Sequence, residues 1–249
     1  MQGLSKNQVK YILRLNKNSY FRRQEQKTFI EGQKVVLELL KEIPDIVEYY
    51  VVRSGFEKEA KRYLPSNKTY VVPDALGYKL TTHTKFNVGA LIKMPEIKLA
   101  PKSLKGLVFG LVGIQDPGNL GTIFRTLLAF DIKDIILFNH CASPYHQKSV
   151  SASSGAVFRL NLYKYEEVED FLNNLDLPVY ALDIKANKSY KDIETKKGLF
   201  LFGNEGRGLT KKTLEQSTEV IKIPIKNIDS LNVAVSVGIV ASHFSPINQ

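Results

Sequence analysis

Apolar residues along the first ninety positions recur at two periods. Val9, Ile12 and Leu13 fall at helical spacing within Ser5–Leu15, and Ser5 can cap that helix. Gln33–Glu42 predicts an amphipathic helix with Val36, Leu37 and Leu40 turned inward. Glu48–Arg53, Thr69–Val72 and Val88–Lys93 predict strands. A helical segment, Phe56–Leu64, and a short Pro73–Leu80 segment lie between them. The reading is a small α/β domain.

From Leu107 onward the alternation is regular. Strands are predicted at Leu107–Gly113, Asp134–Phe138, Val157–Tyr163, Val179–Asp183, Leu199–Gly203 and Val220–Ile223. Helices are predicted at Leu120–Phe130, Glu166–Leu175, Lys211–Ser217 and Leu231–Phe244. Apolar strands alternating with helices imply a largely parallel sheet covered on both faces. Between the two patterns, Met94–Gly106 holds two prolines and three lysines, and the alternation lapses. The expected division is residues 1–95, a linker at 96–103 and a domain at 104–249.

Composition narrows the function. The apolar share of 43% in 249 residues supports a real core. No run approaches the ~20 apolar residues that a membrane span needs. The first fifteen residues lack the apolar stretch of a signal peptide, so the expected compartment is the cytoplasm. Cys141 is the one cysteine and reads as an ordinary thiol near a loop. It does not cluster with the four histidines at metal-ligand spacing, so no metal is expected. Residues 1–102 hold 19 Lys and Arg against 10 Asp and Glu, and the remainder holds 16 against 15. A basic excess confined to one end suits a phosphate backbone, and it also suits a solubilising surface.

Three polar clusters each follow an apolar strand: Ile114–Phe130, Leu201–Leu209 and Ile223–Ile239. In parallel sheets ligands bind beyond the carboxyl ends of strands, which points to one shared site. No Walker pattern occurs, and GNEGRG at Gly203–Gly208 lacks the dinucleotide glycine order. No GxSxG elbow, HExxH or Cys-His nucleophile pattern is found. What remains is a pocket of glycines and amides with one arginine, one glutamate and a Ser-Leu-Asn triplet. Such a pocket can grip a neutral-to-cationic small molecule through backbone contacts, as a methyl donor requires.

The three clusters resemble the signature motifs of the SpoU (TrmH-like) branch of the SPOUT RNA methyltransferases. Motif one is similar to Asp116–Arg125, motif two to Gly203–Leu209, and motif three to Ile223-Pro224 followed by Ser230–Val235. The resemblance implies transfer of a methyl group from S-adenosylmethionine to a ribose 2′-hydroxyl. It assigns catalytic roles to Asn119, Arg125, Glu205, Ser230 and Asn232, and donor contacts to Gly203, Asn204, Gly206, Ile223 and Leu231. A guanidinium is a poor base near neutral pH, so phosphate binding or alkoxide stabilisation suits Arg125 better than proton abstraction. Ser230 also reads as the cap of the last helix. Ala152–Ala156 resembles a small-residue segment of the family that packs beside the cofactor or target. Asp131 stands where relatives often have glycine, and Ser151 where many have a longer polar or basic residue.

Upstream, Asn18–Arg23 and Phe29–Val36 resemble the start of the family's substrate-binding domain, of ribosomal-protein L30e-like fold. Lys17, Arg22 and Arg23 beside Tyr20 suit phosphate contact and base stacking, and they equally suit a solvated basic segment. The resemblance also implies a deep trefoil knot in the α/β C-terminal domain and a homodimer with donor pockets near the subunit interface. Ribosomal RNA is the expected substrate. The alternatives are transfer RNA, and a non-catalytic RNA-binding or ribosome-assembly protein on the same fold.

Overall fold

The computed structural model describes residues 1–81, 86–173 and 175–248. In chain order the first elements are β1 (Gln2–Gly3), α1 (Lys6–Lys17), α2 (Ser19–Glu25), β2 (Lys27–Glu31) and α3 (Gln33–Glu42). Then come β3 (Val47–Arg53), α4 (Glu57–Ala60), β4 (Thr69–Val72), α5 (Asp74–Leu80) and β5 (Val88–Lys93). The later part holds β6 (Lys98–Leu99), β7 (Leu107–Val112), α6 (Pro117–Ala129), β8 (Asp134–Phe138), α7 (Gln147–Ser153), β9 (Asn161–Tyr165) and α8 (Val168–Leu172). It ends with β10 (Val179–Leu182), β11 (Lys188–Ser189), β12 (Gly198–Phe202), α9 (Lys211–Gln216), β13 (Glu219–Lys222) and α10 (Val233–Phe244). Among the described residues no helix is long and apolar enough to cross a membrane.

The chain divides into two compact units. Met1–Glu96 and Tyr145–Phe158 make the first, and Ile97–Pro144 and Arg159–Gln249 the second. The first unit is built on a five-stranded sheet of order β1-β4-β3-β5-β2. β3 runs parallel to β4 and antiparallel to β5. Helix α1 starts at a full capping box, with Gln8 N–H donating to Ser5 Oγ and Ser5 N–H to Gln8 Oε1. It buries Val9, Ile12 and Leu15 against the core of this unit, each worth about 1.5–3 kcal/mol on full burial.

Several expectations for this unit change. In α3 the buried residues are Val35, Val36 and Leu39, whereas Leu37 is 40% exposed. Five apolar residues in VVLELL leave two adjacent faces nearly equal in hydropathy, and packing chose the one rotated back by a residue. The basic stretch after α1 contains both α2 and β2, although its Lys and Arg content masked the strand KTFIE. Tyr145–Phe158, including the small-residue run Ala152–Ala156, belongs by its contacts to the first unit and not to a continuous 104–249 domain. Gln147 Nε2 donates to Glu31 Oε1 across 2.8 Å, and Gly155 sits over Val35 and Glu38 of α3. Residues 156–159 form a turn of 3-10 helix, so the strand expected from Val157 begins only at Asn161.

The second unit is an eight-stranded sheet of order β11-β13-β10-β12-β7-β8-β9-β6, parallel throughout. Its central strands are apolar on both faces: every residue of β12 is buried, and stacked rings of Phe109, Phe200 and Phe202 fill one side. That pattern is what a parallel sheet between two helical layers requires. Asp131, after α6, takes a left-handed φ of 55°. Glycine meets that conformation without strain, and aspartate is one of the few side chains that tolerate it.

Candidate active site

The site lies where β7, β12, β10 and β13 end, since these strands are neighbours and run in one direction. Each delivers its following loop to the same edge of the sheet. After β7, Asp116 caps α6 by accepting from Asn119 N–H at 2.8 Å, and Pro117 occupies the first turn. An Asp cap followed by Pro is a strong start signal. The helix therefore opens at Pro117, three residues earlier than the hydrophobic pattern suggested. The lead-in to this helix is held by Cys141, whose Sγ accepts from Ile114 N–H at 3.3 Å. Burial pushes the Cys141 thiol up to about 11, against the opposing pull of the Ile114, Gly113 and Phe138 backbone.

The loop after β12 folds on Asn204. Its carbonyl accepts from Gly208 N–H at 2.8 Å, its Oδ1 from Gly206 N–H at 2.8 Å, and its Nδ2 donates to Gly113 O at 2.9 Å. The loop is thus closed on itself and tied to the end of β7. Leu209 and Thr210 hold its far end. Leu209 is buried, and the Thr210 and Thr213 hydroxyls both donate to buried Glu169 at 2.6 Å. Burial alone would raise the Glu169 carboxyl, but the two hydroxyls and Lys212 outweigh it and hold it below the ordinary carboxylate value.

Three of the five expected catalytic residues are linked. Asn232 Nδ2 donates to Asn119 Oδ1 at 3.1 Å, and Asn119 Nδ2 donates to Glu205 Oε1 at 2.5 Å. Asn232 is itself fixed because its Oδ1 accepts from Ala234 N–H at 2.8 Å, which makes it the cap of α10. The cap is therefore Asn232 and not Ser230. Ser230 instead lines the cavity described next. Arg125 stands apart from the trio. Six residues of α-helix turn it about 240° from Asn119 and move it about 9 Å along the axis. It is exposed and makes no ion pair or hydrogen bond among the described residues.

Beside the trio is a cavity of about 330 Å³. Gly203, Asn204, Ile223 and Leu231 line it together with Glu205 and Ser230. Gly206 does not; its N–H serves the Asn204 turn. Sequence reasoning missed the segment after β10, where Leu182, Asp183, Ile184 and Lys185 also line the cavity. The signal was present, because VYAL passes abruptly into DIKANKS as the other strands pass into their motifs. Among the described residues no group of His, Cys, Asp or Glu is placed to hold a metal ion.

In the first unit, Lys17 and Arg23 are exposed, and Tyr20 is 61% exposed with its hydroxyl accepting from Gln24 Nε2. Arg22 does not join them. It is only 6% exposed, and its Nη1 donates to Leu15 O at 2.6 Å and Asn16 O at 3.1 Å. The last carbonyls of a helix have no partners of their own, and Arg22 satisfies two at the end of α1. Its guanidinium is therefore spent inside the fold and unavailable to a phosphate. Burial, and then Arg23, lower its pKa.

Comparison with known proteins agrees with this architecture. Residues 106–242 match the model of the SpoU rRNA Methylase family. The chain is 31% identical over 227 residues to the 23S rRNA (guanosine(2553)-2'-O)-methyltransferase RlmP of Bacillus subtilis strain 168, covering 86% of each. A TrmH-family protein from Porphyromonas gingivalis superposes with a TM-score of 0.81 at 27% identity, over 97% of this chain and 98% of that one. The AdoMet-bound rRNA methyltransferase from Sinorhizobium meliloti gives a TM-score of 0.81 at 24% identity, over 97% and 95%. At that identity the likeness is one of fold. With more than half of its length under the family model and motif one through motif three at neighbouring strand ends, the chain belongs to the SpoU rRNA methylase family.

Proposed function

We propose that this protein is an S-adenosylmethionine-dependent methyltransferase acting on a ribose 2′-hydroxyl of ribosomal RNA. The observation that carries the reading is the Asn232–Asn119–Glu205 chain of hydrogen bonds at the edge of a cavity lined by Gly203, Ile223 and Leu231. The Bacillus relative, similar along most of both chains, bears the name of a 23S rRNA 2'-O-methyltransferase.

The cavity fits the donor. Its volume lies at the lower end of the range for small-molecule sites, about 300–1,000 Å³. Leu182, Ile223, Ile225, Leu231 and Val233 offer apolar walls, while the Gly203 and Gly208 backbone allows close approach. When bound there, S-adenosylmethionine supplies an electrophilic methyl group. The chain's own residues then orient the nucleophile. Asn232 fixes Asn119, and Asn119 holds Glu205, so that this carboxylate can accept a hydrogen bond from the ribose hydroxyl. Arg125, without a partner among the described residues, is suited to bind the target phosphate and to steady developing alkoxide charge.

We further place RNA capture on the first unit, read as an L30e-like domain with Lys17, Tyr20 and Arg23 on its surface. The basic excess of residues 1–102 supports this. A trefoil knot at the C-terminal end is part of the same reading, supported by membership of the family. So is a homodimer. Helix α10 is apolar almost all round, yet Val235 is 50% exposed and Ile239 only half-buried, a face that a second copy can cover. The cytoplasm is the compartment in which we expect it to work.

The test is methyl transfer from labelled S-adenosylmethionine to unmodified ribosomal RNA and, separately, transfer RNA, followed by nucleoside analysis. Label in a 2′-O-methyl nucleoside from the ribosomal pool is the expected result. Label confined to the transfer RNA pool would move the substrate, and absence of both transfer and donor binding would leave only a non-catalytic RNA-binding role.

A further inference from the structure

We infer that Asp183 is a donor-binding residue whose carboxylate accepts hydrogen bonds from the ribose hydroxyls of the methyl donor; this rests on the donor-pocket reading above. The first argument is topological. β10 lies between β12 and β13 in the sheet, all three parallel. The second family motif follows β12 and the third follows β13. Asp183 is the first residue beyond β10, so it stands between Gly203 and Ile223 and lines the same cavity. An adenosyl donor has its ribose in the middle, with the base on one side and the sulfonium arm on the other. The middle strand therefore faces the middle of the ligand.

The second argument is geometric. Asp183 N–H donates to Ile221 O at 3.0 Å, its carbonyl accepts from Ala186 N–H at 3.1 Å, and its Oδ1 accepts from Lys185 N–H at 2.7 Å. The side chain is thus held in place by its own turn, while Oδ2 has no partner among the described residues. A fixed carboxylate with one oxygen unengaged is a ready acceptor for a vicinal diol.

The third argument is electrostatic. Asp183 and Glu205 are the two carboxylates of the cavity lining, and Glu205 is engaged by Asn119. Lys185, Arg207 and Lys222 line the cavity as well. Three cations disfavour seating the donor's ammonium group beside Asp183, whereas neutral hydroxyls carry no such cost. In doubly wound α/β sheets that bind dinucleotides, an Asp or Glu likewise accepts from a ribose 2′-hydroxyl.

The experiment is calorimetric titration of the wild type, Asp183→Asn and Asp183→Ala with three ligands: S-adenosylhomocysteine, its 2′,3′-dideoxy analogue, and 5′-methylthioadenosine. The last keeps the diol and lacks the amino-acid arm. Asp183→Asn retains an acceptor for Lys185 N–H and so guards against loss of the turn. We expect Asp183→Ala to weaken the homocysteine and methylthio ligands by the same factor, roughly ten- to hundred-fold, the worth of hydrogen bonds to a charged group. Asp183→Asn should lose less, and the dideoxy analogue should not distinguish the three proteins. Equal affinity of wild type and both variants for S-adenosylhomocysteine overturns the assignment. So does a loss confined to the ligand with the amino-acid arm, or an equal loss with the dideoxy analogue. A folded wild type that binds none of the ligands overturns the donor pocket itself, and Asp183 with it.

Discussion

The side-chain amide of Asn119 donates to Glu205 Oε1 across 2.5 Å, although 86 residues separate the two in the chain. Asn119 belongs to the first turn of α6 and Glu205 to the loop after β12, so the bond exists because β7 and β12 are paired neighbours. The other end of the amide is oriented by Asn232, which permits only one of its two flips to satisfy both partners. Asn119→Ala should therefore free Glu205 and lower turnover by roughly 30-fold or more, the effect of about 2 kcal/mol at a charge-assisted hydrogen bond. Asn232→Ala should act in the same direction and lose the α10 cap as well. In a double variant the losses should be less than additive, as expected of a chain in which one member acts through the next. Full additivity would show that the three residues work independently.

Arg125→Ala is expected to abolish transfer while leaving donor affinity close to the wild-type value, because Arg125 does not line the cavity. Arg125→Lys should rescue little, since a point charge does not replace a planar fork on phosphate. Single-turnover transfer and donor titration on the same preparations decide it, and undiminished turnover in the alanine variant rules the role out.

Gly203→Ala should damage both the loop and the pocket. A Cβ there would lie 2.6 Å from Gly208 O and Leu209 N, both backbone atoms that cannot move without opening the turn. Overpacking of this kind costs about 1–3 kcal/mol. Donor affinity should fall more than tenfold, and Tm should fall with it. A stable variant with normal donor binding would mean that the loop opens freely.

Arg22 and Arg23 are adjacent and should behave differently. Arg22→Ala strips the Leu15 and Asn16 carbonyls of their donor and should cost about 1–3 kcal/mol of stability. Arg23→Glu should leave the urea midpoint nearly unchanged, weaken RNA binding, and flatten the dependence of that binding on salt. If Arg22→Ala were to lower RNA affinity without loss of stability, its placement inside the fold would be refuted.

Glu169 gives an acid limb to stability. Its folded-state pKa lies below the ordinary value near 4.5, so the unfolded chain takes up its proton first as pH falls. The stabilisation is complete above that ordinary value and is lost as pH drops through the lower folded value. Denaturation of the wild type and Glu169→Gln should thus differ most above the ordinary carboxylate value and converge as pH falls through the lowered folded value. A gap that stayed constant over this range would assign the difference to packing alone.

Most of the second unit was legible in the sequence because its strands are buried on both faces. β8 spans the residues that the apolar run predicts, and β7, β10 and β12 begin or end within one residue of it. The motifs stood out for the same reason, since polar residues directly after such strands are conspicuous. Helix starts were less visible in hydropathy alone: α6 opens at Pro117 because Asp116 and Pro117 set the backbone, although no apolar residue marks the place.

What the chain alone determined, then, is the alternation of elements, the basic end and the three polar clusters, all of which follow from local periodicity and charge. What tertiary structure decided is which of these meet. Arg22 and Arg23 are equivalent in sequence, and only the end of α1 packing nearby turns one into an internal donor. Val36 and Leu37 are equally apolar, and only the neighbouring sheet selects the first. Tyr145–Phe158 joins the first unit through Gln147 and Gly155, contacts more than a hundred residues distant. Asp183 acquires meaning only because β10 is placed between β12 and β13. Periodicity records whether a residue is buried, but partners remote in sequence are fixed by strand order and packing, which no local pattern encodes.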